Sequence, residues 1–79
     1  MAPFSMPSRA RTVWIARRGS EEVRALFRPL QGGGAELRFM AGDRLIFSHW
    51  FANTVALEEA AERRRIEMEA KGWNTELRS

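Results

Sequence analysis

The sequence predicts a two-layer α+β domain, a four-stranded antiparallel meander with one C-terminal helix packed on one face (ββββα). Three observations carry this. Four strand-length segments between residues 11 and 52 are separated by glycine-bearing turns. One of them, Ala35 to Met40, alternates apolar and polar side chains at the period of a strand. Residues 54–71 are a run of good helix formers with opposite charges spaced four apart.

The elements follow in chain order. Residues 1–10, with Pro3 and Pro7 and no periodicity, are expected to form a disordered or loosely attached tail. The first strand is RTVWIARR, the second EEVRALFRPL after Gly19-Ser20, the third AELRFM after Gly32-Gly33-Gly34, and the fourth RLIFSHWFA after Gly42-Asp43. In the third, Ala35, Leu37 and Phe39 share one side and Glu36, Arg38 and Met40 the other. Three-residue loops, Gly19-Ser20-Glu21 and Ala41-Gly42-Asp43, carry that parity to the neighbours. They set Val13 and Ile15 beside Val23, Ala25 and Phe27, and set Leu45, Phe47 and Phe51 beside Leu37 and Phe39. Two-residue turns would slip each pairing by one and exchange the faces.

The helix is expected over 54–71, capped by Asn53 or Thr54. Its charge pairs are Glu59 with Arg63, Arg63 with Glu67, Arg65 with Glu69 and Glu67 with Lys71. Gly72 is placed at the left-handed position of a Schellman exit, with Trp73 packing back on Met68. Leu57, Ala60, Ala61 and Met68 form its inward stripe, with the aliphatic stem of Arg64 between them. Residues 11–73 are then the domain and 74–79 a short tail.

Composition bounds what such a domain can do. At 79 residues, with no Cys and a single His, neither disulfides nor a thiolate or histidine metal site can support a small core. No cofactor or metal is expected. Apolar content of 44% predicts a folded chain rather than a disordered one. No apolar run reaches the length of a membrane span and residues 1–10 lack a secretory apolar core, so cytoplasmic residence is expected. The net charge of +3 is concentrated before residue 53, where eight arginines meet four acidic residues.

By the same parity, the sheet face away from the helix carries Trp14, Leu26, Met40, Ile46 and Trp50 among Arg24, Arg28, Arg38 and Arg44. A face that only met water would be mostly polar. Burying roughly 80 Å² more of each of these five apolar residues would contribute on the order of 10 kcal/mol before association costs. Two readings compete for the face. In one, Trp14, Leu26, Met40, Ile46 and Trp50 are the interface of a homodimer and the arginines its rim. In the other, Trp14 and Trp50 stack on unpaired bases while Arg24, Arg28, Arg38 and Arg44 follow a single-stranded nucleic-acid backbone. A third, from a different class, is a small ligand-binding or enzymatic site formed between chains around His49. The first reading leads to the expected function: a small non-catalytic, self-associating interaction module.

The order of four strands and a helix, over Arg11 to Lys71, is similar to the single repeat of the PUR family of single-stranded nucleic-acid binders and to the Whirly proteins. In both, curved sheets associate and present basic and aromatic surface. The resemblance lies in element order. No motif matches residue by residue, and no functional positions follow from it.

Other chemistry has simpler explanations. His49 falls at the boundary of the core-side row, and Asp43 follows Gly42 where a hairpin favours it. Glu58, Glu59 and Glu62 fit dipole and ion-pair roles, with no facing helix to complete a metal site. The glycine run QGGGAE lacks the lysine and the following helix of a phosphate loop. Arg63, Arg64 and Arg65 point about 100° apart around the helix and form a solvated face rather than a groove reader.

Overall fold

The computed structural model describes residues 10–78. Its elements are β1 (Arg11–Arg18), β2 (Glu21–Pro29), β3 (Ala35–Ala41), β4 (Arg44–Phe51), α1 (Thr54–Ala70) and β5 (Asn74–Leu77). The sheet is antiparallel and five-stranded, in the order β4-β3-β2-β1-β5. This corrects the four-stranded meander: the stretch expected to be a C-terminal tail supplies an edge strand. The tail expected at the N-terminus lies, but for Ala10, outside the described residues.

The fifth strand follows from the length and exit of the helix. At about 1.5 Å per residue, 17 helical residues rise roughly 25 Å, more than the roughly 19 Å that separate the outer strands of a five-stranded sheet. A helix that starts at β4 therefore delivers the chain beyond β1. The exit is the Schellman arrangement the sequence predicts: Trp73 N–H donates to the Met68 carbonyl at 3.0 Å and Gly72 N–H to that of Glu69 at 3.1 Å. The chain then runs back along β1, pairing Trp14 with Leu77 and Ala16 with Thr75, and Arg78 N–H donates to the Val13 carbonyl at 2.9 Å.

Turn length decides which residues face the helix. Both outer hairpins close with two-residue loops, Gly19-Ser20 and Gly42-Asp43, not the three-residue loops expected. In each the glycine takes the first position with φ near +60°, as a type II′ turn requires. The slip that two-residue turns impose does occur in β1. Trp14 pairs with Ala25 and Ala16 with Val23, on the helix side, while Ile15 pairs with Arg24 on the other. In β4 an irregularity leaves Ile46 without a facing residue. Leu45 goes with Met40, away from the helix, yet Phe47 returns to Phe39, His49 to Leu37 and Phe51 to Ala35. A second irregularity, at Val13, lets both Val13 and Trp14 contribute to the core.

The core is therefore built around a tryptophan. Trp14 is fully buried, faces the small Ala25 across the ladder and donates its indole N–H to the Ala61 carbonyl of α1 at 2.9 Å. Ala16, Ala25, Ala35, Leu37, Phe39, Leu57 and Ala61 complete the buried cluster, with Val13, Val23, Phe27, Phe51, Ala60, Met68 and Trp73 packed against it. Asn53 caps α1, its Oδ1 accepting from Ala56 N–H at 2.9 Å. Of the four expected charge pairs, Arg65 with Glu69 forms, at 3.0 Å; Arg65 also holds Glu62, and Arg64 rather than Arg63 meets Glu67.

Candidate interaction surfaces

Three surfaces remain once the core is assembled. The first is the sheet face opposite α1. Trp14 is not on it, which corrects the expected pairing of two tryptophans: one indole is core, and Trp50 alone stands on this side. Leu26, Met40, Arg24, Arg28 and Arg38 do lie there, half-buried, in neighbouring register positions. Ile46 sits unpaired at the β4 irregularity, and Arg44 pairs with Ala41 beside the turn, so neither continues the row. With Trp14 and Ile46 removed from the five residues expected to be covered, the gain from burying Leu26, Met40 and Trp50 falls to about 6 kcal/mol.

The charge on this face is largely spent within it. Glu36 meets Arg28 at 3.2 Å and the Nε of Arg38 at 3.3 Å, and Arg17 meets both Glu22 and Glu76 at 3.2 Å. The Arg38 Nε is close to the carboxylate but not aligned with it. It is buried without a hydrogen bond, so this contact is Coulombic. Arg24 has no carboxylate within ion-pair distance among the described residues. A backbone-tracking groove needs unpaired cations in a row, and here one carboxylate sits between two of the four arginines.

The second surface is the outer edge of β4. The sheet has two edges, and they differ. β5 is four residues long and carries Glu76, features that blunt an edge against pairing. β4 is eight residues long and exposed from Arg44 to Trp50, and after Arg44 it carries no Lys, Asp, Glu or Pro. Leu45, Ile46, Phe47 and Trp50 are 44%, 52%, 43% and 57% exposed. Only the irregularity at Ile46 interrupts it, and Phe47 to Phe51 remain a regular edge that no other strand of the described residues pairs. Trp50 also closes over the turn before β3: a Cβ on Gly34 would stand 2.6 Å from its Nε1.

The third surface is a groove of about 340 Å³ between α1 and β4, lined by Leu37, Phe39, Phe47, His49 and Phe51 of the sheet and by Ala60, Arg63, Arg64 and Glu67 of α1. His49 is where the core-side parity puts it, in an aromatic row with Phe47 and Phe51, and exposed. The parity puts Phe47 and Phe51 on the core face with His49 at its boundary; in the structure Phe47 and His49 are exposed. The helix packs on β1, β3 and β5 as well as β4, its buried Leu57 and Ala61 join the Trp14 cluster, and Phe47 and His49 at the β4 end of the row are left exposed.

Among the described residues no three His, Cys, Asp or Glu side chains converge as a metal site would require, and no helix is long and apolar enough to cross a membrane. Among the described residues, the one pair of titrating side chains with a resolved perturbation is Glu62 and Arg65 on α1, where Arg65 also donates to Thr75 of β5. Donation from Arg65 holds the Glu62 carboxyl below the usual carboxylate range and raises Arg65 in turn. No family model, curated protein or solved structure matches the chain.

Proposed function

We propose that the protein is a non-catalytic, self-associating module, a homodimer joined through β4. The observation that carries this is the contrast between its two sheet edges. An eight-residue strand exposing four large apolar side chains and one charge is the kind of edge that adds a strand from another chain, whereas the β5 edge is short and charged. Antiparallel pairing of two β4 strands about a twofold axis joins two five-stranded sheets into one and covers Leu45, Ile46 and Trp50 without disturbing either core. It also separates the two Arg44 guanidiniums, which lie near opposite ends of the paired strands.

Single-strand nucleic-acid contact on the face opposite α1 has less support. One of its two stacking platforms is inside the core, and Arg28 and Arg38 share Glu36.

Light scattering at micromolar concentration tests the proposal. The expected mass is about 18 kDa, twice the 9.1 kDa chain, falling to that of the single chain when Ile46→Lys and Trp50→Lys place charges on the edge. A wild-type monomer at 100-fold higher concentration would remove the dimer. A dimer indifferent to both lysines would move the interface away from β4.

A further inference from the structure

Pairing through β4 leaves the groove beneath α1 unexplained. Its floor is aromatic and exposed at the β4 end. Phe39 and Phe47 stack with centroids 5.6 Å apart, Phe47 and His49 follow at 6.3 Å, and Phe51 lies 4.8 Å beyond His49. Phe47 and His49 are exposed, so the row meets solvent through the groove. Its upper wall is cationic. The Arg64 guanidinium stands 5.7 Å from the Phe39 centroid and 5.8 Å from that of Phe47, and Arg63 lines the same opening.

The two arginines are not equivalent. Arg64 has a structural explanation, since its stem and guanidinium cover the two rings and Glu67 meets it at 3.6 Å. Arg63 has none: it is exposed, and no carboxylate of the described residues lies within ion-pair distance, although the sequence places Glu59 and Glu67 four residues to either side. Glu67 is the one carboxylate lining the groove against two guanidiniums. The lining thus offers an apolar, planar floor with an excess cation at its rim.

That combination selects a class of ligand. A neutral hydrocarbon would cover the rings and leave Arg63 without a counterion; an inorganic anion would meet the arginines and leave the rings in water. A flat ring bearing a carboxylate satisfies both, and about 340 Å³ is within the range of small-molecule sites. We infer that the groove between α1 and β4 binds small aromatic carboxylates, the ring lying on the Phe47–His49 row and the carboxylate between Arg63 and Arg64. All of these groups belong to one chain, so the inference does not depend on the β4 dimer.

The test is a titration of isotope-labelled protein with 2-naphthoate, following the amide resonances of Phe47, His49, Phe51 and Ala60, with 2-naphthalenemethanol as the uncharged counterpart. Naphthoate is expected to shift these resonances saturably and to bind about tenfold more tightly than the alcohol, the worth of one charge-assisted contact. Arg63→Gln with Arg64→Gln, both on exposed positions, is expected to erase that preference while the spectrum stays folded; Phe47→Ala is expected to weaken both ligands. Equal affinity for the two ligands, preference surviving in the double variant, or shifts confined to the opposite face would overturn the inference. Light scattering on the same samples keeps the two ideas apart. A monomer that binds naphthoate removes only the β4 pairing, and a dimer that ignores it removes only the ligand site.

Discussion

Two tryptophans that sequence parity places on one sheet face occupy opposite environments, and replacing each in turn measures the difference. Trp14 is fully buried against Phe39, with centroids 5.8 Å apart, and donates to the Ala61 carbonyl, whereas Trp50 is 57% exposed. A buried indole removes about 150–250 Å² from water, worth about 4–6 kcal/mol at 25 cal/mol per Å². A domain of this length has a total stability of about 4–12 kcal/mol. Trp14→Ala would therefore leave much of the chain unfolded, and Trp14→Phe is the informative variant. It keeps one ring beside Phe39 but opens a void where the indole's second ring was and loses the hydrogen bond, for about 2–3 kcal/mol. Trp50→Phe is expected to cost under about 1 kcal/mol. In urea unfolding followed by far-ultraviolet circular dichroism, at a concentration low enough that light scattering shows the single chain, the midpoint should fall for Trp14→Phe and barely move for Trp50→Phe. In thermal unfolding the first should lose about 8–24 °C. Two variants within about 0.5 kcal/mol of each other, or the reverse order, would refute the placement of Trp14 in the core and with it the two-residue turn that puts it there.

Gly34→Ala should cost about 2 kcal/mol or more and change the Trp50 emission, because the new Cβ would stand 2.6 Å from the indole nitrogen and 2.8 Å from the Phe51 carbonyl, at φ +82°; Gly32→Ala, at φ +94° with open space around it, should leave that emission unaltered. Asn53→Ala removes the cap on α1 and is expected to cost about 1 kcal/mol in the same unfolding assay. Because Arg65 lowers the Glu62 carboxyl below its unfolded value, this contact stabilises the fold above the ordinary carboxylate range and the contribution is lost as pH falls through the lower folded value. A carboxyl-detected titration should show Glu62 returning to the ordinary range in Arg65→Met; an unmoved titration would assign the shift to something other than Arg65.

What the sequence by itself determined are the features whose physics is local. The period-two alternation of Ala35, Leu37 and Phe39, the Asn53 cap, the inward Leu57 and Ala61, and the Schellman exit at Gly72 each depend on residues within one or two turns of chain, and each is found where the residues place it. Tertiary structure alone decided the rest. Register is a relation between strands, and a one-residue difference in a turn exchanges their faces; Gly19-Ser20 therefore sent Trp14 to the helix side and Ile15 to the opposite face, where it is still buried beside Arg24, although the pattern RTVWIARR is compatible with either. The consecutive apolar residues Leu45, Ile46 and Phe47 concealed the irregularity that restores β4 to register. β5 was illegible for a related reason. NTEL has too little apolar content to announce a strand, and it becomes one only because the helix, longer than the sheet is wide, brings it alongside the free edge of β1, where its backbone groups find partners. The open β4 edge and the groove beside it are likewise decided by packing: one helix spans from β4 to β5, its buried Leu57 and Ala61 close over Trp14, and no property of Phe47 and His49 in the sequence says that they will be left exposed.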